Sequence, residues 1–197
     1  MSDSERELTL AALAEKEKLL LSAGNDYPDK IAALAKMIAD VILAGGKVLV
    51  CGNGGSAAES QHFAAEMVVR LTEKTERAAL PVIALSTDTS VITACANDYG
   101  FERVFARQVE ALGRKGDMLL TLSTSGNSPN VNAAAATAKD HQMTTAALLG
   151  KGGGELAKMA DYSIVVPSQS VLRIQEEHLF LLHQLVESIQ IILSPEV

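Results

Sequence analysis

Residues 48–67 read VLVC-GNGGSAAESQHFAAEM, and this stretch decides the fold. Val48–Cys51 is an apolar run too short for a helix and without the polar alternation of a half-exposed strand, so it predicts a strand buried on both faces. Gly52-Asn53-Gly54-Gly55-Ser56 follows as a turn, and a helix opens near Ala57. Four further runs repeat the pattern: Val82–Leu85, Met118–Leu122, Thr145–Leu149 and Ser163–Val166. Helical segments are expected between them at Ala57–Leu71, Ser90–Ala96, Arg103–Leu112, Asn130–Lys139 and Gly154–Met159. Strands alternating with helices at this spacing imply right-handed crossovers and a parallel sheet. The expected class is therefore α/β, a three-layer doubly wound sandwich.

The flanks add helices. Glu5–Leu21 carries a stripe of Leu8, Leu10, Leu13, Leu19 and Leu20 and stops at Gly24-Asn25-Asp26; Pro28–Leu43 carries Ile31, Leu34, Met37, Ile38 and Ile42. Leu172–Leu193 is apolar on more than one side, which favours packing on a partner as well as on its own sheet. Residues 1–44 are thus expected to serve assembly, and 45–197 to form the α/β core with its C-terminal helix, in one domain.

Composition narrows the function. The chain has 197 residues, 48% hydrophobic and 21% charged, with 17 basic against 24 acidic side chains and a net charge of −7. That balance argues against a nucleic-acid surface, which needs clustered Lys and Arg. No run reaches the roughly 18–20 apolar residues that cross a bilayer. The N-terminus MSDSERELTL lacks the layout of a signal peptide, so a cytoplasmic protein is expected. Cys51 and Cys95 form no CxxC pair and read as buried thiols.

Ligands of doubly wound sheets bind beyond the carboxyl ends of the strands. Three segments lie there. The glycine turn at Gly52–Ser56 lets backbone approach a ligand, or is a plain tight turn; it lacks the Lys of a P-loop and the ribose-binding acid of a dinucleotide site. Ser123-Thr124-Ser125-Gly126-Asn127-Ser128 precedes a helix, and its hydroxyls and amides suit a phosphate, although a capping Ser is also common there. Asn97-Asp98-Tyr99-Gly100 could hydrogen-bond sugar hydroxyls or be an ordinary turn. Asp88 is expected to cap a helix, and His141 to lie in an exposed turn.

His62 and Glu66 are four apart on the helix that the glycine turn opens, hence on one face. Gln175 and His183 are eight apart on the terminal helix. Either pair alone is compatible with a surface contact. Together, two imidazoles, a carboxylate and an amide oxygen could hold a divalent cation such as zinc. Glu176, Glu177 and His178 on the same helix read as a solvated or salt-bridged face.

CGNGGSA, STSGNSPN, ANDYG and RIQEEH, in this order, resemble the sugar isomerase (SIS) domain and, within it, the phosphoheptose isomerases. The resemblance spans nearly the whole chain. It implies a five-stranded parallel sheet, a homotetramer with sites near subunit interfaces, and isomerisation of sedoheptulose 7-phosphate to D-glycero-D-manno-heptose 7-phosphate, the entry to ADP-heptose for lipopolysaccharide. It implies one zinc per subunit on His62, Glu66, Gln175 and His183. Substrate contacts fall on Asn53, Gly54, Gly55, Glu66, Asn97, Asp98, Ser123, Thr124, Ser125, Ser128 and Gln175, with Glu66 and His183 as the acid/base pair. The competing resemblance is to a non-enzymatic replication initiator-associating tetramer, whose matching positions lack the acid and the imidazole kept here at Glu66 and His183. Leu172 stands where some of the isomerases carry Asp.

Overall fold

In a computed structural model, which describes residues 3–23, 25–70 and 76–193, the elements alternate as the apolar runs dictate. Helices α1 (Asp3–Ala23) and α2 (Tyr27–Leu43) lead into strand β1 (Val48–Gly52) and helix α3 (Gly55–Val68). Strand β2 (Val82–Ala84), helix α4 (Thr89–Tyr99), a 3-10 turn at Phe101–Arg103 and helix α5 (Ala106–Leu112) come next. Strand β3 (Met118–Ser123), helix α6 (Pro129–Asp140), strand β4 (Thr144–Leu149), short helix α7 (Leu156–Met159), strand β5 (Tyr162–Val165) and long helix α8 (Val171–Leu193) complete the chain.

The five strands are all parallel, in the order β2-β1-β3-β4-β5. Alternate residues of the central strands feed two separate cores. Val48, Val50, Leu120, Leu122 and Leu148 pack with Leu34 and Ile38 of α2, Phe63 and Met67 of α3, and Leu181 and Leu185 of α8. Leu49, Cys51, Leu119, Ala147 and Leu149 pack with Cys95, Phe105, Val109 and Val131 on the other side. This is the expected three-layer sandwich, and its period-2 division is the reason the strands read as continuous apolar runs. Phe63 is fully buried, which contributes on the order of 2–3 kcal/mol and holds α3 to the sheet.

Both cysteines are free and buried, and burial pushes the Cys51 thiol up to about 12, so it is inert. Asp88 caps α4 by accepting the amide of Val91 at 3.0 Å, as its position suggested. Among the described residues no helix is long and apolar enough to cross a membrane.

Of the α1 stripe, Leu8, Leu10, Leu13 and Leu20 are exposed and Leu19 alone of the five is buried. Three expectations need correction. Strand β2 is a three-residue edge strand whose Ile83 faces outward, so it is not buried on both faces. Asn97 and Asp98 are not in a loop; α4 runs through them to Tyr99, and Gly100 ends it with a φ of +87°. Glu177 and His178 are buried, not solvated, because α8 turns them toward the body of the protein. Glu176 does face solvent, paired with Arg173 and Lys16. Leu71, given to the third predicted helix, lies outside the described residues.

Candidate active site

Strand order places the site. β1 and β3 are neighbours, but the crossover from β1 goes to β2 on one side and that from β3 goes to β4 on the other. The chain therefore diverges at the carboxyl ends of β1 and β3, which opens the crevice where doubly wound sheets bind ligands. Gly52–Ser56 and Ser123–Ser128 are the two loops that flank it. They are joined by a reciprocal amide pair: Asn53 and Asn130 each donate to the other at 2.8 Å.

The serine loop presents hydroxyls and amides that suit an anion. Ser128 occupies the N-cap of α6, yet its hydroxyl caps no amide and instead meets Ser123 Oγ at 3.2 Å. Simple capping therefore does not account for this serine. Ser123 Oγ also accepts the Gly126 amide at 3.1 Å, and Ser125 Oγ accepts that of Asn127 at 3.2 Å. Gly126 has a φ of +65° and lies against the Gly153 carbonyl, so any side chain there would displace the 150–154 loop behind it. Thr124 and Ser125 are half-buried beside the start of α6, where the dipole favours negative charge.

The second half of the site comes from α3 and α8, which run parallel and meet in step. At the first turn of α3 the Gln175 amide lies over Gly55, and a Cβ on Gly55 would run into it. One turn on, Glu59 faces His178. His62 Nε2 then meets His183 Nε2 at 2.8 Å, with the rings edge to face at 72°. At the end of α3, Arg77 donates to the carbonyls of Glu66 and Met67 while its Nε donates to Gln190 of α8 at 3.2 Å.

The predicted His62, Glu66, Gln175 and His183 thus fall on one seam. Glu66 Oε1 lies 3.8 Å from His62 Nε2, while its Oε2 is buried with no hydrogen-bond partner among the described residues. At the His–His contact one ring must donate and the other accept, so at least one Nε2 carries no proton.

This donor set suits zinc in its chemistry: two imidazoles, an amide oxygen and a carboxylate whose orphaned oxygen a cation would satisfy. Among the described residues, however, no three His, Cys, Asp or Glu side chains converge closely enough to hold an ion as they stand. The two nitrogens at 2.8 Å are hydrogen-bonded to each other; two ligands of one tetrahedral ion keep roughly 3.3 Å, so the rings would part on binding.

Other predicted positions lie on helices outside these loops. Asn97 and Asp98 are exposed on α4 and bonded to each other at 2.7 Å. Leu172 is exposed on the first turn of α8 and supplies no polar group. A cavity of about 590 Å³ at the β2 edge, lined by Ile83, Thr87, Val91 and Arg107, contains none of the predicted site residues. Asn130, Arg77 and Glu59 escaped the sequence reading, and His178 was read only as part of a solvated or salt-bridged face. Asn130 could have been found as the polar residue opening α6; nothing local marks the other three.

A family model described as the SIS domain matches residues 13–150. A phosphoheptose isomerase of Chlorobaculum parvum is 51% identical over 185 residues, covering 93% of this chain and 88% of that protein. The chain belongs to the SIS-domain phosphoheptose isomerase family. Phosphoheptose isomerase 1 of Campylobacter jejuni is 49% identical over 181 residues, 90% of this chain and 96% of that protein. The solved phosphoheptose isomerase of Neisseria gonorrhoeae superposes with a TM-score of 0.88 at 41% identity, covering 94% of this chain and 98% of its own. The protein is accordingly an isomerase of sugar phosphates, with the five-stranded sheet that the motifs implied.

Proposed function

We propose that this isomerase converts sedoheptulose 7-phosphate to D-glycero-D-manno-heptose 7-phosphate, the first step toward ADP-heptose for lipopolysaccharide, as a cytoplasmic homotetramer. The observation that carries the reading is the buried, unpartnered Glu66 oxygen beside the His62–His183 pair. An adaptor of the same fold would have no use for either feature. The exposed leucines of α1, with Leu172, Phe180 and Ile191 on α8, offer apolar faces for assembly.

Moving a carbonyl from C2 to C1 requires a proton to leave C1 and one to reach C2, through an enediol. Glu66 is the group to take the carbon-bound proton, because its free oxygen has no donor to satisfy. His183, with an imidazole nitrogen at the same seam, exchanges protons with the sugar oxygens. Ser123, Thr124, Ser125 and Ser128 hold the 7-phosphate, which sets the register of the carbon chain at the reacting end. Asn53, Gly54 and Gly55 line the floor, with Asn97 and Asp98 on the sugar hydroxyls. Zinc on His62, Glu66, Gln175 and His183, one per subunit, would supply Lewis-acid polarisation of the substrate oxygens. Glu66 and Gln175 would touch substrate as well.

The test is to incubate purified protein with sedoheptulose 7-phosphate and follow aldose formation by proton NMR, with and without a chelator. Turnover that chelation abolishes and zinc restores is expected. A protein that never turns over, even zinc-loaded, contradicts the reading.

A further inference from the structure

Between the glycine turn and the two histidines, Glu59 and His178 face each other across the α3–α8 seam. Glu59 stands one turn before His62, and His178 one turn after Gln175. His178 is completely buried, and the Glu59 side chain is 11% exposed. His178 Nε2 lies 3.2 Å from the Leu149 carbonyl at the end of β4. A carbonyl only accepts, so Nε2 bears the proton, and Nδ1 of the neutral ring is a bare acceptor. That Nδ1 looks at Glu59 Oε2 from 4.0 Å, and neither atom has a hydrogen-bond partner among the described residues. Two bare acceptors facing each other in a dry interior repel; one proton between them turns repulsion into attraction.

We propose that Glu59 and His178 share a single proton, and that this buried tie positions α3 against α8 and so sets how Glu66 and His183 approach. The pair touches no reacting atom; it is a positioning device, and it rests on the reading of Glu66 and His183 as the acid/base pair. Burial lifts the Glu59 carboxyl to about 7, opposed by a smaller contribution from Ser56, and pushes the His178 imidazole down to about 4. The proton accordingly belongs to Glu59 facing a neutral ring. An ionised pair at this distance would instead bury two charges. The 4.0 Å gap exceeds a direct O–H···N bond, and closes by a small rotation of the carboxyl or through one water.

Gln can replace the shared proton with an amide N–H, whereas Leu cannot, and this separates the tie from simple packing. Glu59→Leu is expected to lower kcat about 10–100-fold, as loss of a supporting hydrogen bond does, with KM changed less than about twofold. Glu59→Gln should stay within about threefold of wild type in kcat, because a donor to Nδ1 remains. In protein carrying ¹⁵N-histidine, His178 should appear as a neutral Nε2–H ring with a hydrogen-bonded Nδ1. Glu59→Leu should free that nitrogen and also shift the His62 and His183 signals, while Glu59→Gln should leave all three near wild type. Wild-type kcat in a folded Glu59→Leu overturns the proposal. So does a Glu59→Gln enzyme as impaired as Glu59→Leu, or a doubly protonated His178 at neutral pH. If Glu59→Leu fails to fold, the wild-type and Glu59→Gln nitrogen signals still decide. If the wild type turns over no heptulose phosphate, the proposed function falls, and the histidine signals judge the tie separately.

Discussion

Glu66→Gln is expected to reduce kcat for sedoheptulose 7-phosphate by about 10²–10⁴-fold, with KM little changed. The substitution keeps the size of the side chain and its place on α3, but removes its charge and with it the ability to take up a proton, which is why metal content is measured alongside the rate. Glu66 is well placed for that role. Its Oε2 is buried and unpartnered among the described residues, and its own carbonyl is tethered by Arg77, which holds the end of α3 to Gln190 of α8. Initial-rate kinetics with metal content determined on the same sample give the answer. A near-normal rate in zinc-containing Glu66→Gln protein would remove Glu66 from the role of base.

The second large effect is expected at His183. His183→Ala removes one ring of the 2.8 Å His–His contact and leaves His62 without its partner on α8. Both functions assigned to the seam should then fail together. Turnover should drop by at least about 10²-fold, and zinc should fall from one ion per chain to a small fraction. Elemental analysis after gel filtration measures the second quantity. Stoichiometric zinc retained by His183→Ala contradicts the ligand assignment, whatever the rate.

The sheet and the two loops at its divergence were legible because their signals are local. Val48–Cys51 and Met118–Leu122 are apolar on both faces since each strand serves two cores, and a glycine or serine cluster directly follows. Asp88 was legible for the same reason, being a cap next to the helix it caps. The meeting of α3 with α8 was not. His62 and His183 are 121 residues apart, and no spacing within either helix says that they touch. Their residue types suggested a shared ligand set, and only the family resemblance implied that the two helices meet. His178 was misread because it follows two glutamates in a polar-looking run. Its burial depends on a carbonyl at the end of β4, which only the assembled fold supplies. Asn97 and Asp98 look like a turn because Asn, Asp and Gly crowd there, yet the helix simply continues to the glycine. The α1 leucines kept their helix, but of the five in the stripe only Leu19 joins the chain's own core, since α2, α3 and α8 already cover that face of the sheet.

The central claim is that the glycine turn, α3 and α8 form one catalytic unit, with Glu66 and His183 acting on the same substrate. A double-mutant cycle on kcat, comparing Glu66→Gln, His183→Ala and the combined variant, tests this most directly. Residues that work as a unit are strongly non-additive, so the combined variant should be no slower than the worse single variant within about threefold. Losses that multiply, leaving the combined variant slower by the product of the two single effects, would show two independent contributions and contradict the account.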